Sequence, residues 1–89
     1  MEVNVAIEKA KEHVREIYKD EPIVDIGLEE VEFKERDKVW AITVGFLRNW
    51  RPQENAISAL AAPIRIYKVV RIRDKDGSLQ SLRNRETPN

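Results

Sequence analysis

The spacing of hydrophobic residues changes at Pro22, from a helical period before it to alternation after it. Before Pro22, hydrophobic residues recur every three or four positions, which is typical of one face of an α-helix. The residues of this stripe are Val3, Ala6, Ile7, Ala10, Val14, Ile17 and Tyr18. Asn4 can act as the N-cap, and proline cannot continue the helical hydrogen-bond ladder. The pattern therefore predicts a helix over about residues 4–19.

Alternating hydrophobic residues after Pro22 predict a run of strands. After a first strand that ends near Phe33, we expect three more at Val39–Leu47, Ile64–Arg73 and Ser78–Arg83. The polar segment KERDK separates the first two strands. The segment DKDG, at residues 74–77, is typical of a hairpin turn, because Asp and Gly tolerate the positive φ that such turns require.

The first strand carries hydrophobic residues of both parities. Ile26 and Leu28 occupy even positions, whereas Val31 and Phe33 occupy odd ones. Because successive side chains of a strand point to opposite faces, both pairs can face the core only if the strand contains an extra residue. We therefore predict a β-bulge near residues 29–30.

In the second strand, Trp40, Ile42, Val44 and Phe46 share one face, and this bulky face should pack against the helix. A chain of 89 residues is long enough for one hydrophobic core and too short for two. The predicted fold class is α+β, with the N-terminal helix packed on a four-stranded antiparallel meander sheet. We expect one domain over residues 1–83 and a frayed tail over residues 84–89.

The opposite face of the predicted sheet is more apolar than a sheet face left in water should be. It carries Val39, Ala41, Thr43, Tyr67 and Val69. We expect a second copy of the chain or another protein to cover this face. The alternative is that the long loop between the second and third strands, or the C-terminal tail, folds over it.

Charge is distributed unevenly along a chain whose formal net charge is zero. Residues 1–44 contain 7 basic and 12 acidic side chains, a net charge of −5, and residues 45–89 contain 9 basic and 4 acidic ones, a net charge of +5. The asymmetry either creates a dipole for binding or reflects neighbouring elements that neutralise each other. The zero total argues against nucleic acid and anionic membranes as partners.

A cluster of basic and aromatic residues lies at the start of the segment 48–63, where Arg48 and Arg51 flank Trp50. Such a cluster can stack the bases and hold the phosphates of a single-stranded nucleic acid. Alternatively, Trp50 covers one end of the core. Residues 55–62 can form about two helical turns before Pro63.

Few residues of this chain are suited to catalysis or metal binding. It has no cysteine, and its single histidine, His13, has neither a nucleophile nor a second ligand at a useful spacing. In a calcium loop that contained Gly77 as its invariant glycine, Arg83 would occupy the twelfth position, where a glutamate is needed. We therefore expect no catalytic residue, no metal and no cofactor, and hence no enzyme. Charged residues interrupt each apolar run near the N-terminus, so we expect no secretion signal, no membrane span and a cytoplasmic location.

The segment YKVVRIRDKDGSLQSL, at Tyr67–Leu82, resembles the hairpin of PepSY-type domains, in which a Tyr-Lys-Val strand leads into a turn with Asp and Gly. The order of elements resembles the cystatin-like arrangement, in which a curled antiparallel sheet wraps one helix. The strand W-x-I-T-V-G-F, at Trp40–Phe46, is similar to one found in small uncharacterised bacterial proteins. These resemblances imply a bacterial binding or accessory module, and the inhibitory function proposed for PepSY domains implies a protease partner.

The sequence as a whole favours a non-enzymatic module that binds another protein, or a second copy of itself as a homodimer. It would use the exposed sheet face and the segment 48–63. The residues expected to contact the partner are Arg48, Trp50, Arg51, Tyr67, Val69 and Arg71. The alternative is a binder of a small molecule or a single-stranded nucleic acid that uses the cluster around Trp50.

Overall fold

The computed structural model describes residues 1–48 and 64–85. The described residues form one helix followed by four strands. The elements are α1 (Val3–Ile17), β1 (Ile23–Lys34), β2 (Val39–Arg48), β3 (Ile64–Arg73) and β4 (Leu79–Asn84). The strands pair antiparallel in the order β1-β2-β3-β4, which confirms the predicted α+β meander.

The residues that α1 buries follow a single row with a spacing of four. They are Ala6, Ala10, Val14 and, just after the helix, Tyr18. A row of this spacing is inclined to the helix axis. Hydrophobic residues that lie outside the row, near either end of the helix, therefore point away from the sheet. Val3 and Ile17 are accordingly 42% and 47% exposed, although the sequence stripe included them.

The predicted N-cap at Asn4 is wrong, because the helix begins before that residue. Glu2 has extended backbone angles and its carbonyl accepts the first helical hydrogen bond, from the amide of Ala6 at 3.0 Å. Asn4 therefore lies inside the first turn. At the other end, Tyr18 caps the helix, and its amide donates to the carbonyl of Val14 at 3.0 Å.

The predicted β-bulge in β1 is confirmed. Leu28 pairs with Val44 and Glu30 pairs with Thr43, so Glu29 has no partner on β2. A second irregularity, between Val24 and Gly27, was not predicted. It includes Asp25, whose φ is +56°.

The core lies between α1 and the bulky face of β2, as predicted. Ile42, Val44 and Phe46 are fully buried, and the Phe46 ring lies 5.1 Å from the ring of Tyr18. Trp40 is half-buried, with its Nε1 donating to the Asp74 carboxylate at 2.8 Å. The sheet face against α1 is called the helix face below.

The turn between β3 and β4 confirms the hairpin predicted at DKDG. Gly77 has a φ of +73°, and its amide donates to the Arg73 carbonyl at 2.7 Å. The amide of Ser78 donates to the Asp76 carboxylate, and this hydrogen bond lowers the pKa of Asp76. His13 of α1 is partly buried, and its Nε2 donates a hydrogen bond to the Gly77 carbonyl at 2.9 Å. The turn is therefore attached to α1 by a side chain.

Strand β4 extends to Asn84, the residue at which the frayed tail was expected to begin. Asn84 pairs with Lys68 of β3 and accepts a hydrogen bond from its ammonium group. Lys68 belongs to the helix face by its position, and this contact directs its side chain to the outer strand β4. Residues 86–89 lie outside the described residues.

Candidate binding surface

The sheet has a second face, opposite the helix face, which we call the back face. Side chains alternate along each strand, so the residues between the core positions of β2 and β3 belong to it. On these strands the back face consists of Val39, Ala41, Thr43, Gly45, Leu47, Arg65, Tyr67, Val69, Arg71 and Arg73. Within residues 1–48 and 64–85, the only helix packs on the other side.

The floor of the back face consists of small residues that long side chains flank. Ala41 lies between Glu32 and Arg71 in the strand register, and it is only 8% exposed. Thr43 lies between Glu30 and Val69, and it is 4% exposed. The aliphatic parts of long charged side chains can shield such small residues from water. The accessible surface of the back face is therefore less apolar than the alternation of residues in the sequence predicted. The charged side chains beside the floor make up most of that surface.

A groove with a volume of about 330 Å³ runs over this floor. Glu30, Glu32 and Lys34 of β1 line one side, where the two carboxylates outnumber the one ammonium group, and Arg71, Arg83, Asn84 and Arg85 line the other. The backbones of Glu30 and Arg83 lie on the two outer strands, about 14 Å apart for three strand spacings. The groove therefore has an acidic wall and a basic wall.

The two walls do not neutralise each other. Glu30, Arg71 and Arg83 form no ion pair with any of the described residues. Among the residues that the structure describes, Glu32 pairs only with Lys34 on its own strand, at 3.1 Å. The uneven charge seen along the sequence thus becomes a charge difference across the sheet, because β2 separates the acidic strand from the basic ones.

A stack of side chains closes one end of the groove. The guanidinium of Arg85 lies 4.0 Å from the centre of the Tyr67 ring, and that of Arg65 lies 5.9 Å from it. Arg65 also donates to the carboxylate of Glu29, the bulged residue of β1, at 3.3 Å. The Tyr67 ring lies over Gly45, where an added Cβ would be 3.0 Å from two of its carbons. The absence of a side chain at Gly45 therefore allows the ring to lie down against the sheet.

The structure brings together Tyr67, Val69 and Arg71, which are neighbours on the back face. It does not bring Arg48 to them, and the contact of Arg48 with a partner stays a prediction. Arg48 has the parity of Phe46 and lies on the helix face, where its Nε donates to Glu21 at 2.8 Å and its guanidinium lies 5.4 Å from the Tyr18 ring centre. Its contacts join the end of α1 to the sheet. Trp50 and Arg51 lie outside the described residues.

Sequence reasoning did not assign Glu30, Glu32, Arg83 and Arg85 to the site. Within the described residues, Glu29 is the only glutamate of β1 that pairs with β3, through Arg65. Arg83 stood at the predicted end of the domain, and Arg85 lay in the predicted tail. The parity of Arg83 within β4 could have assigned it to the back face. Its position beside Val69 depends on the register between β3 and β4, which the sequence does not show.

No family model, curated protein or solved structure matches this chain significantly. The resemblance to cystatin-like and PepSY-type domains stays a prediction. The one helix within the described ranges is too short and too polar to cross a membrane. Across those same ranges, no group of three or more His, Asp or Glu side chains is arranged to hold a metal ion. The back face is therefore the feature from which a function is proposed.

Proposed function

We propose that this chain is a non-enzymatic binding module that contacts another protein through the back face of its sheet. The observation that carries the proposal is the groove between an acidic and a basic wall whose charges are not paired with each other. Charged groups arranged in this way steer a complementary surface into place and set its orientation. The small floor residues let a partner approach the sheet closely between the two walls.

The width of the groove favours a protein over a smaller ligand. A partner that neutralises both walls at once has to span about 14 Å, the distance across three strand spacings. A folded surface or an extended peptide reaches that far, whereas a small anion can reach only the basic wall.

The location of the perturbed ionisable groups supports a role without catalysis. Catalytic acids and bases usually have shifted pKa values and line a cleft. Among the described residues, a hydrogen bond to Glu35 raises the pKa of Lys38, and hydrogen bonds from the N-terminal ammonium and Trp40 lower the pKa of Asp74. A hydrogen bond from Ser78 lowers the pKa of Asp76. All three groups lie at turns, and none of them lines the groove.

Site-specific photocrosslinking tests the proposal directly. A benzophenone amino acid in place of Ser81, which lies on the back face beside Arg71, should form a covalent adduct with the partner in the native cell. The same amino acid in place of Glu12, on the exposed side of α1, is the matched control. An adduct at position 81 and none at 12 is expected. No adduct at position 81, or equal adducts at both positions, would contradict the proposal.

A second candidate function is the binding of a small anionic molecule. The groove volume of about 330 Å³ is within the range of small-ligand sites, and three arginines share one wall. Phosphate or a short oligonucleotide should then shift the backbone amide NMR signals of β3 and β4 without affecting those of Glu30 and Glu32. The absence of such shifts would count against the small anion and leave the protein partner as the favoured candidate.

The proposal also includes a cytoplasmic location in a bacterial cell. Fractionation of the native cell tests it, and recovery of the protein outside the cytoplasm would contradict it.

A further inference from the structure

We propose that the partner is a second copy of this chain, bound back face to back face about a two-fold axis parallel to the strands. This inference rests on the proposed function and names its partner. In the dimer, Glu30 of each copy lies against Arg83 of the other, and Glu32 lies opposite Ser81, one strand away from Arg71.

The order of charges across the sheet determines the direction of the axis. One row of the back face reads Glu30, Thr43, Val69, Arg83 from β1 to β4. A rotation of 180° about an axis along the strands reverses this order, so each acidic end meets a basic end. A rotation about an axis across the strands keeps the order and places glutamate on glutamate. Since symmetric dimers use the same patch on both copies, only the first axis makes this face complementary to itself.

The centre of the face is suited to packing against an identical sheet. With the axis along the strands, Thr43 of one copy faces Val69 of the other, and the small Ala41 leaves room for the long side chain of Arg71. Two packed sheets are usually about 10 Å apart, with side chains of both inner faces between them.

The area of the face is sufficient for a weak dimer. A ten-residue strand is about 33 Å long, and four strands are about 19 Å wide. The face therefore measures on the order of 600 Å², and its burial on two copies removes about 1,200 Å² from water, the lower limit for a specific interface. The zero net charge of the chain adds no overall repulsion between copies. We expect a dissociation constant in the micromolar range, which increases with salt as the charge pairs are screened.

A charge exchange between the two walls provides the test. Glu30→Arg creates two Arg–Arg contacts per dimer, and Arg83→Glu creates two Glu–Glu contacts. The dimer dissociation constant of each variant alone should be at least about 100-fold higher than that of the wild type. A mixture of the two variants should associate again, because every contact is then between opposite charges. The double variant should also form a homodimer.

Sedimentation velocity from about 10 μM to 1 mM at low salt measures these equilibria. Glu12→Arg and Arg36→Glu make the same changes in net charge at exposed positions away from the face, so they should leave association unchanged. Circular dichroism checks that each variant is folded. Recovery of the dimer in the mixture supports the inference.

Two results would overturn it: a wild type that stays monomeric at 1 mM, and a dimer that neither single variant weakens. The crosslink at position 81 separates this failure from failure of the proposed function. An adduct of this chain with a different protein leaves the proposed function in place and removes the homodimer. The absence of any adduct contradicts both.

Discussion

Truncation of Phe46 to alanine should remove a large part of the stability of this domain. The Phe46 side chain is fully buried at the centre of β2, and its ring lies 5.1 Å from that of Tyr18. Removing a buried phenylalanine costs about 3–5 kcal/mol, because apolar contacts are lost and a cavity is left. A domain of this size has a free energy of unfolding of about 4–13 kcal/mol. The variant should therefore be close to the limit of folding.

Urea unfolding followed by circular dichroism measures this loss. Phe46→Leu retains most of the volume and should cost about 1 kcal/mol. Val24→Ala, at a side chain that is 52% exposed, should change the free energy of unfolding by less than about 0.5 kcal/mol. A loss below about 1 kcal/mol for Phe46→Ala would show that this face of β2 is not beneath the helix, and the assignment of the back face would fail with it.

Three further predictions concern the back face and the turn between β3 and β4. Gly45→Val should lower the free energy of unfolding by about 1–3 kcal/mol in urea titrations, because its side chain meets the Tyr67 ring. Unfolding free energy should decrease in acid, since the pKa values of Asp74 and Asp76 are lower in the folded state than the ordinary value of 3.8. Their stabilisation is complete above that value and is lost as the pH falls through the lowered folded values, because the unfolded chain then binds more protons. His13→Ala should cost about 1 kcal/mol and should increase amide hydrogen exchange in the turn, since it removes a hydrogen bond between α1 and the turn.

Each of these predictions has a result that would contradict it. Stability unchanged in Gly45→Val would mean that the Tyr67 ring does not lie against the sheet. If the unfolding free energy of Asp74→Asn decreased in acid as much as that of the wild type, Asp74 would not contribute to the acid dependence. Unaltered exchange in the turn of His13→Ala would show that the turn does not depend on its contact with α1.

The period of the hydrophobic residues accounts for most of what could be predicted about the fold. A strand with one buried side has a period of two, so the alternation in β2 identified its core face. The parity change between Leu28 and Val31 located the bulge at Glu29 for the same reason. Ile23 and Ile26, which both pack against the core, also differ in parity, and this signal was missed at the second irregularity.

The candidate site was less predictable, because it depends on which residues the register brings together. Arg48 could have been assigned to the helix face from its parity with Phe46, but its position beside Trp50 in the sequence drew attention to the loop. The pairing of Arg83 with Val69 is a contact between strands, and no local pattern contains it. Charges that lie far apart in sequence form one groove only when the strands are arranged side by side.

Crosslinking of single introduced cysteines tests the central claim most directly, because the chain contains no cysteine of its own. Glu30→Cys and Arg83→Cys variants would be mixed, treated with a short bis-maleimide that spans about 10 Å, the separation of two packed sheets, and analysed by electrophoresis. The mixture should give a crosslinked dimer that joins position 30 of one copy to position 83 of the other, and each variant alone should give little. Equal crosslinking of each variant with itself, or no crosslink in the mixture, would contradict self-association through this face.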